Sequence, residues 1–189
     1  MELRQATVDD VPAALRLMDI ATAWLAKRGQ TGQWGDGSSK HADNPVRTQR
    51  AIEFTESGGT WLAIDTTTPS FQSTNSSEAQ GDELSVINGV VGAVTVGQAN
   101  PYVQPATEPE LYVLFLATDR ASSGKKIGTL LLDHARKLAR EAGVSLLRLD
   151  CYAGGGGGLV RYYESQGFER RETFEIKGWP GQIMVQRLE

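Results

Sequence analysis

The segment 110–142 constrains the fold most. It opens with ELYVLFLAT, which carries a single charge and reads as a strand buried on both faces. A basic, glycine-bounded turn follows, Gly124-Lys125-Lys126-Ile127-Gly128. It opens a helix predicted from Thr129 to Ala142, in which Leu131, Ala135, Leu138 and Ala142 share one side. Gly143 then stands where a helix-ending glycine belongs. A doubly buried strand feeding an amphipathic helix requires helices layered on a sheet. The predicted class is therefore α/β or α+β.

The flanking chain fits that layering. Leu3 to Thr7 reads as a strand. Asp9 and Asp10 are candidate helix caps, with Pro12 in the first turn of a helix running to Gly29. A polar, glycine-rich connection carries Gln33, Trp34 and Asp36, and a second helix covers Val46 to Ser57. Strands are expected at Thr60–Asp65, Ile87–Gly97 and Leu146–Tyr152. The stretch 66–85 is rich in Ser, Thr and Gln without periodicity, and reads as a mobile surface loop. A run of glycines from Gly154 to Gly158 precedes a short helix, Leu159 to Gln166. Glu169–Ile176 and Gln182–Leu188 read as an antiparallel pair with Trp179-Pro180 in the turn. The expectation is a mixed, mostly antiparallel central sheet of about seven strands flanked by four helices, in one domain spanning 1–189.

Composition narrows the function. With 189 residues the chain is long enough to bury a core without staples. Its net charge of −4 argues against a general nucleic-acid binder, which needs a broad basic face. Cys151 is the only cysteine, and His41 and His134 are the only histidines, so no disulfide and no metal site is expected. No apolar stretch approaches the roughly 20 residues of a membrane span, and the N-terminus lacks a signal-peptide pattern. A cytoplasmic protein with no membrane partner is the expectation, as a monomer or a homodimer.

The turn at 124–128 suits an anion. The first N–H groups of a helix lack intrahelical partners and sit at the positive end of its dipole. It is neither a Walker loop nor a dinucleotide fingerprint, because the glycine spacing differs. Here the chain resembles the GNAT superfamily of acyl-CoA-dependent N-acyltransferases, whose phosphate motif is R/Q-x-x-G-x-G/A. Ser123 to Gly128 aligns with it and keeps Gly124 and Gly128. Ser123 replaces the usual Arg or Gln, and Lys126 replaces a usual Gly. If the backbone at Lys126 needs positive φ, its side chain carries a cost. A second landmark is Tyr162-Tyr163-Glu164-Ser165-Gln166-Gly167-Phe168, which matches the second half of N-x-x-A-x-x-F-Y-x-x-x-G-F. The resemblance covers nearly the whole chain.

The resemblance implies acetyl-CoA as co-substrate and a GNAT-like fold. It implies that Leu116, Ala117 and Thr118 line the pantetheine, and that Ser123, Gly124, Lys125, Lys126, Ile127, Gly128 and Thr129 cradle the phosphates. Gly156 lies where the glycine run passes the cofactor. Tyr163 is the implied proton donor to the thiolate. Glu110 is the candidate base, with Glu108 beside it. His134 reads as structural or surface, and His41 as a residue of a mobile loop. Trp24, Gln33 and Trp34 are candidates for the acceptor pocket, because aromatics with a few polar groups suit a small-molecule amine. The alternative function is a catalytically weak GNAT-fold module with altered CoA affinity.

Overall fold

The computed structural model of the chain describes residues 1–67 and 89–189. Most of the stretch 66–85, read above as a mobile loop, lies outside them. Seven strands form one sheet in the order β1-β2-β3-β4-β5-β7-β6. They are β1 (Glu2–Gln5), β2 (Thr60–Ile64), β3 (Val90–Gly97), β4 (Glu110–Thr118), β5 (Leu146–Tyr152), β6 (Glu169–Ile176) and β7 (Trp179–Arg187). Four helices flank it: α1 (Val11–Ala26), α2 (Pro45–Glu56), α3 (Ile127–Glu141) and α4 (Gly158–Ser165). Among these strands only β4 and β5 pair in parallel.

Both faces of the sheet are covered. Leu62 and Ala93 pack with Ala13, Ala14 and Leu17 of α1 on one face. Their neighbours Ala63 and Val94 point the other way, against Leu131, Leu132 and Ala135 of α3. Leu131 and Leu132 are fully buried, each contributing about 1.5–3 kcal/mol of apolar transfer.

Three local details differ from the sequence reading. Asp10 occupies the cap position of α1, but its side chain accepts no bond from that helix. It pairs with Arg4 at 2.7 Å and accepts from the Thr7 N–H at 2.8 Å, tying β1 to the helix start. The Arg4 bond, with the Thr7 bonds, lowers the Asp10 carboxyl to about 2. The closing hairpin turns at Lys177-Gly178, both with positive φ, as a two-residue turn between twisted strands requires. Trp179 and Pro180 therefore belong to β7 and not to the turn. Helix α3 starts two residues earlier than its apolar periodicity suggests, at Ile127.

The feature that makes a site is a wedge. Pairing between β4 and β5 runs only from Glu110↔Leu146 to Val113↔Leu149. On its other side, β4 pairs with β3 through Val96↔Val113 and Thr95↔Phe115, leaving Leu114 as an extra residue. Such a bulge bends its strand and increases local twist. It falls where the β5 pairing stops, so the second half of β4 splays away from β5.

Candidate active site

A cavity of about 950 Å³ fills the wedge. Leu114 to Thr118 line it with the edge of β4 that β5 no longer pairs. β5 offers no ladder partner to the N–H and C=O groups on that edge. Leu116, Ala117 and Thr118 are among these cavity-wall residues.

Ser123, Gly124, Lys126, Ile127, Gly128 and Thr129 line the same cavity. Helix α3 begins there without any side-chain cap. The first N–H groups of a helix start lack intrahelical partners and sit at the positive end of its dipole, an arrangement that suits an anion. Gly128 is small for a local reason, since a Cβ there would lie 2.3 Å from the Tyr162 hydroxyl. Lys125 does not join them. Its ammonium pairs with Asp65 at 2.7 Å, beyond the end of β2, and holds that carboxyl well below its usual range.

Lys126 sits at the cap position of α3 with φ 55° and ψ 30°, in the left-handed region. That conformation costs a residue with a Cβ about 1–2 kcal/mol, and glycine loses about 0.5–1 kcal/mol of chain entropy instead. Lys126→Gly is therefore expected to stabilise the chain by about 0.5–1 kcal/mol, a rise of about 1–4 °C in Tm. Thermal unfolding in the absence of ligand measures it. An unchanged or lower Tm would show that the Lys126 side chain repays its backbone strain.

Tyr163 is 7% exposed and lines the cavity from α4. Its ring packs edge-on against Tyr162 and Phe168. Its hydroxyl makes no hydrogen bond among the described residues. Burial pushes this phenol far above its usual value. Burial also raises the nearby Cys151 thiol to about 12. A thiol and a phenol in this neighbourhood therefore shift in the same direction.

Several candidates fall elsewhere. Glu110 lies at the closed end of the wedge, bound to Arg148 at 2.9 Å, and does not line the cavity. A strand-end carboxylate looked free in sequence, but the parallel partner strand brings a buried arginine to it. Glu108 is held by Arg187, at 2.6 Å for one of its two contacts. Gly156 is also off the cavity, and its carbonyl accepts from Arg161 at 2.6 Å. Gly154, Gly155 and Gly158 are the members of that run lining the wall.

His41 is buried rather than mobile. Its Nε2 lies 2.8 Å from the Thr22 hydroxyl, its Nδ1 meets Arg47, and its N–H donates to Asp19 at 2.7 Å. It fastens the connection between α1 and α2 to α1. His134 stacks on Trp61 at 4.2 Å, and burial lowers its pKa. Neither histidine lines the cavity.

Trp24, Gln33 and Trp34 do line it. Trp24 stacks with Arg28 at 3.8 Å and Arg120 at 4.3 Å, and neither arginine has a carboxylate partner among the described residues. Trp34 packs on the α1 face of the sheet and edge-on to His41. The Gln33 carbonyl accepts from Trp179 Nε1 at 3.1 Å, joining the α1–α2 connection to the β6–β7 hairpin.

A family model described as "Acetyltransferase (GNAT) family" matches residues 40–168. The chain belongs to the GNAT acetyltransferase family. Solved structures similar to this GNAT chain share its fold at low identity. A ribosomal-protein-alanine N-acetyltransferase from Brucella melitensis is 19% identical, with a TM-score of 0.64 and full coverage of both chains. An N-acetyltransferase from Staphylococcus aureus Mu50 is 16% identical, with a TM-score of 0.63, covering 100% of this chain and 98% of its own. The NatC complex bound to Gag peptide and CoA contains a chain 14% identical, with a TM-score of 0.58 and full coverage of both chains. No curated protein matches the sequence.

Arg120 and Asp150 are cavity residues of this GNAT domain that the sequence reading missed. Arg120 follows β4 and looks like one more surface charge until Trp24 is seen against it. Asp150 sits in an apolar strand, LLRLDCY, and reads as an isolated polar residue. Splaying of β4 turns it into a wall of the cavity. Its carboxylate accepts from the Tyr112 hydroxyl at 2.7 Å, and burial raises its pKa. Among the described residues no group of His, Cys, Asp and Glu could hold a metal ion, and no helix is long and apolar enough to cross a membrane.

Proposed function

We propose that this GNAT protein moves an acetyl group from acetyl-CoA to a primary amine of a small molecule or peptide by direct attack. One observation carries the reading. The uncapped start of α3 and the free edge of β4 open into one cavity, which Tyr163 also lines. Backbone donors at the helix start suit a pyrophosphate, and Arg120, which lines the cavity and has no ion-pair partner among the described residues, adds charge. The β4 edge suits an extended, amide-bearing arm. The NatC neighbour, solved with CoA and a peptide, is consistent with it.

Bound acetyl-CoA would supply a thioester whose carbonyl is attacked and whose thiolate departs. Backbone N–H groups of Leu116 to Thr118 are the donors available to a developing oxyanion. Tyr163 holds the proton for the leaving thiolate. Asp119 and Asp150 both line the cavity. Asp119 caps the turn that follows β4. Asp150 is the carboxylate available for the proton that the amine loses, and its desolvation makes it a stronger base than an exposed aspartate.

Calorimetric titration tests the reading at its weakest residues, Ser123 and Lys126. Acetyl-CoA is expected to bind with a Kd between about 1 µM and 1 mM, the span of ordinary KM values. A panel of amines should then release free thiol. Absence of both heat and thermal shift at millimolar acetyl-CoA would favour a module that keeps the fold without the cofactor.

A further inference from the structure

Asp150 is a half-buried carboxylate with no cation beside it. Its hydrogen bonds come from Tyr112 at 2.7 Å and from the Tyr102 hydroxyl at 3.4 Å. Among the described residues no lysine or arginine pairs with it. Arg148, on the same strand, is occupied by Glu110 and lies near Glu172. Arg50 is bound to Asn100, which donates to Tyr102 at 2.8 Å. A desolvated carboxylate without a counter-charge is costly, and it attracts a cation.

An arc of aromatic rings starts at its hydrogen-bond partner Tyr102. Tyr102 lies 5.7 Å from Phe174, Phe174 lies 6.1 Å from Trp179, and Trp179 lies 5.6 Å from Tyr152. Tyr102, Tyr152 and Trp179 line the cavity with Asp150. Tyr152 stands two residues beyond Asp150 on β5, and therefore on the same side of the strand. Three glycines make room for the arc. A Cβ at Gly181 would lie 2.3 Å from the Phe174 ring, and one at Gly154 would lie 2.3 Å from the Tyr152 ring. A Cβ at Gly32 would lie 2.0 Å from the Tyr152 hydroxyl. At these three positions the rings lie against bare backbone. Trp179 is fixed in turn by its bond to Gln33.

Aromatic faces carry negative electrostatic potential, so they favour cations and disfavour anions. Carboxylate and rings act in the same sense. We propose that the acceptor enters as an ammonium ion held by Asp150 within the Tyr102, Tyr152 and Trp179 arc. The substrate class is an aliphatic or arylalkyl amine without a carboxylate beside its nitrogen. A free α-amino acid would set its carboxylate against Asp150 and is excluded. This inference rests on the acetyl-transfer reading for its reaction, but the binding it predicts needs no cofactor.

The test uses n-butylammonium, n-butanol and butyrate, read by calorimetry and by tryptophan fluorescence. The ammonium is expected to bind at least about tenfold more tightly than the alcohol of the same shape, with no binding of butyrate. Asp150→Asn and Trp179→Leu should each weaken the ammonium by about tenfold, while acetyl-CoA affinity is unchanged. In turnover, n-butylamine should release thiol from acetyl-CoA and norvaline, its α-carboxylated counterpart, should not. Equal binding of ammonium and alcohol overturns the proposal, as does comparable turnover of norvaline. If either variant fails to fold, the ligand series on the unaltered chain still decides. Acetyl-CoA binding without ammonium selectivity removes this inference alone. Ammonium selectivity without acetyl-CoA binding removes the transfer reading and leaves the cation site.

Discussion

Tyr163→Phe is expected to lower the rate of the acetyl-transfer step by about 100- to 10,000-fold, with the KM for acetyl-CoA largely unchanged. The substitution removes one hydroxyl from a side chain that already packs as an aromatic anchor on Tyr162 and Phe168. Packing survives, so the loss falls on chemistry. A buried phenol with a strongly raised pKa would be a poor donor to an ordinary thiolate. The leaving thiolate would form in the same buried neighbourhood, where Cys151 is raised to about 12. Burial penalises both anions, so their difference stays small enough for proton transfer. Single-turnover measurements are the right readout, because slow product release could hide the effect in kcat. Tyr162→Phe is the control, since the Tyr162 hydroxyl lies over Gly128 at the start of α3. A Tyr163→Phe enzyme with undiminished transfer across pH would remove Tyr163 from the proton path.

Gly128→Val is expected to raise the Kd for acetyl-CoA by about 100-fold or more. A Cβ at this position lies 2.3 Å from the Tyr162 hydroxyl, and the added methyl groups stand over the open N–H groups of α3. Blocking two hydrogen bonds to a phosphate, each about 1.5 kcal/mol or more, accounts for that magnitude. The fold should persist, because the clash is with the far end of one side chain. Far-ultraviolet circular dichroism checks the fold, and calorimetry checks the affinity. Acetyl-CoA binding as tight as in the unaltered chain would mean that the phosphates lie somewhere other than the start of α3.

The helices and strands were largely legible in sequence, because each follows from neighbours a few residues apart. The apolar run at 110–118, the amphipathic spacing of α3 and the stop at Gly143 correspond to elements of the structure. The proposed cofactor side was legible for a related reason. A helix start that lacks partners is a local property, and its glycines mark it. The proposed acceptor side was not. Trp24, Gln33 and Trp34 were visible as unusual residues, but Asp150, Tyr102 and Phe174 gave no signal. They belong to different strands and connections, and only the folded sheet gathers them.

Glu110 and Asp150 state the division most plainly. Sequence pointed to Glu110 because it opens the most apolar strand, and to Asp150 not at all. Pairing of β4 with β5 places Arg148 on Glu110, and the bulge at Leu114 opens the wedge beside Asp150. By itself the sequence determined the order of elements, the helix start that suits phosphates, and the family. Tertiary structure alone decided which carboxylate is neutralised and which faces the cavity. The physical reason is that backbone conformation depends on near neighbours, whereas the charge balance of a side chain depends on partners brought from distant parts of the chain.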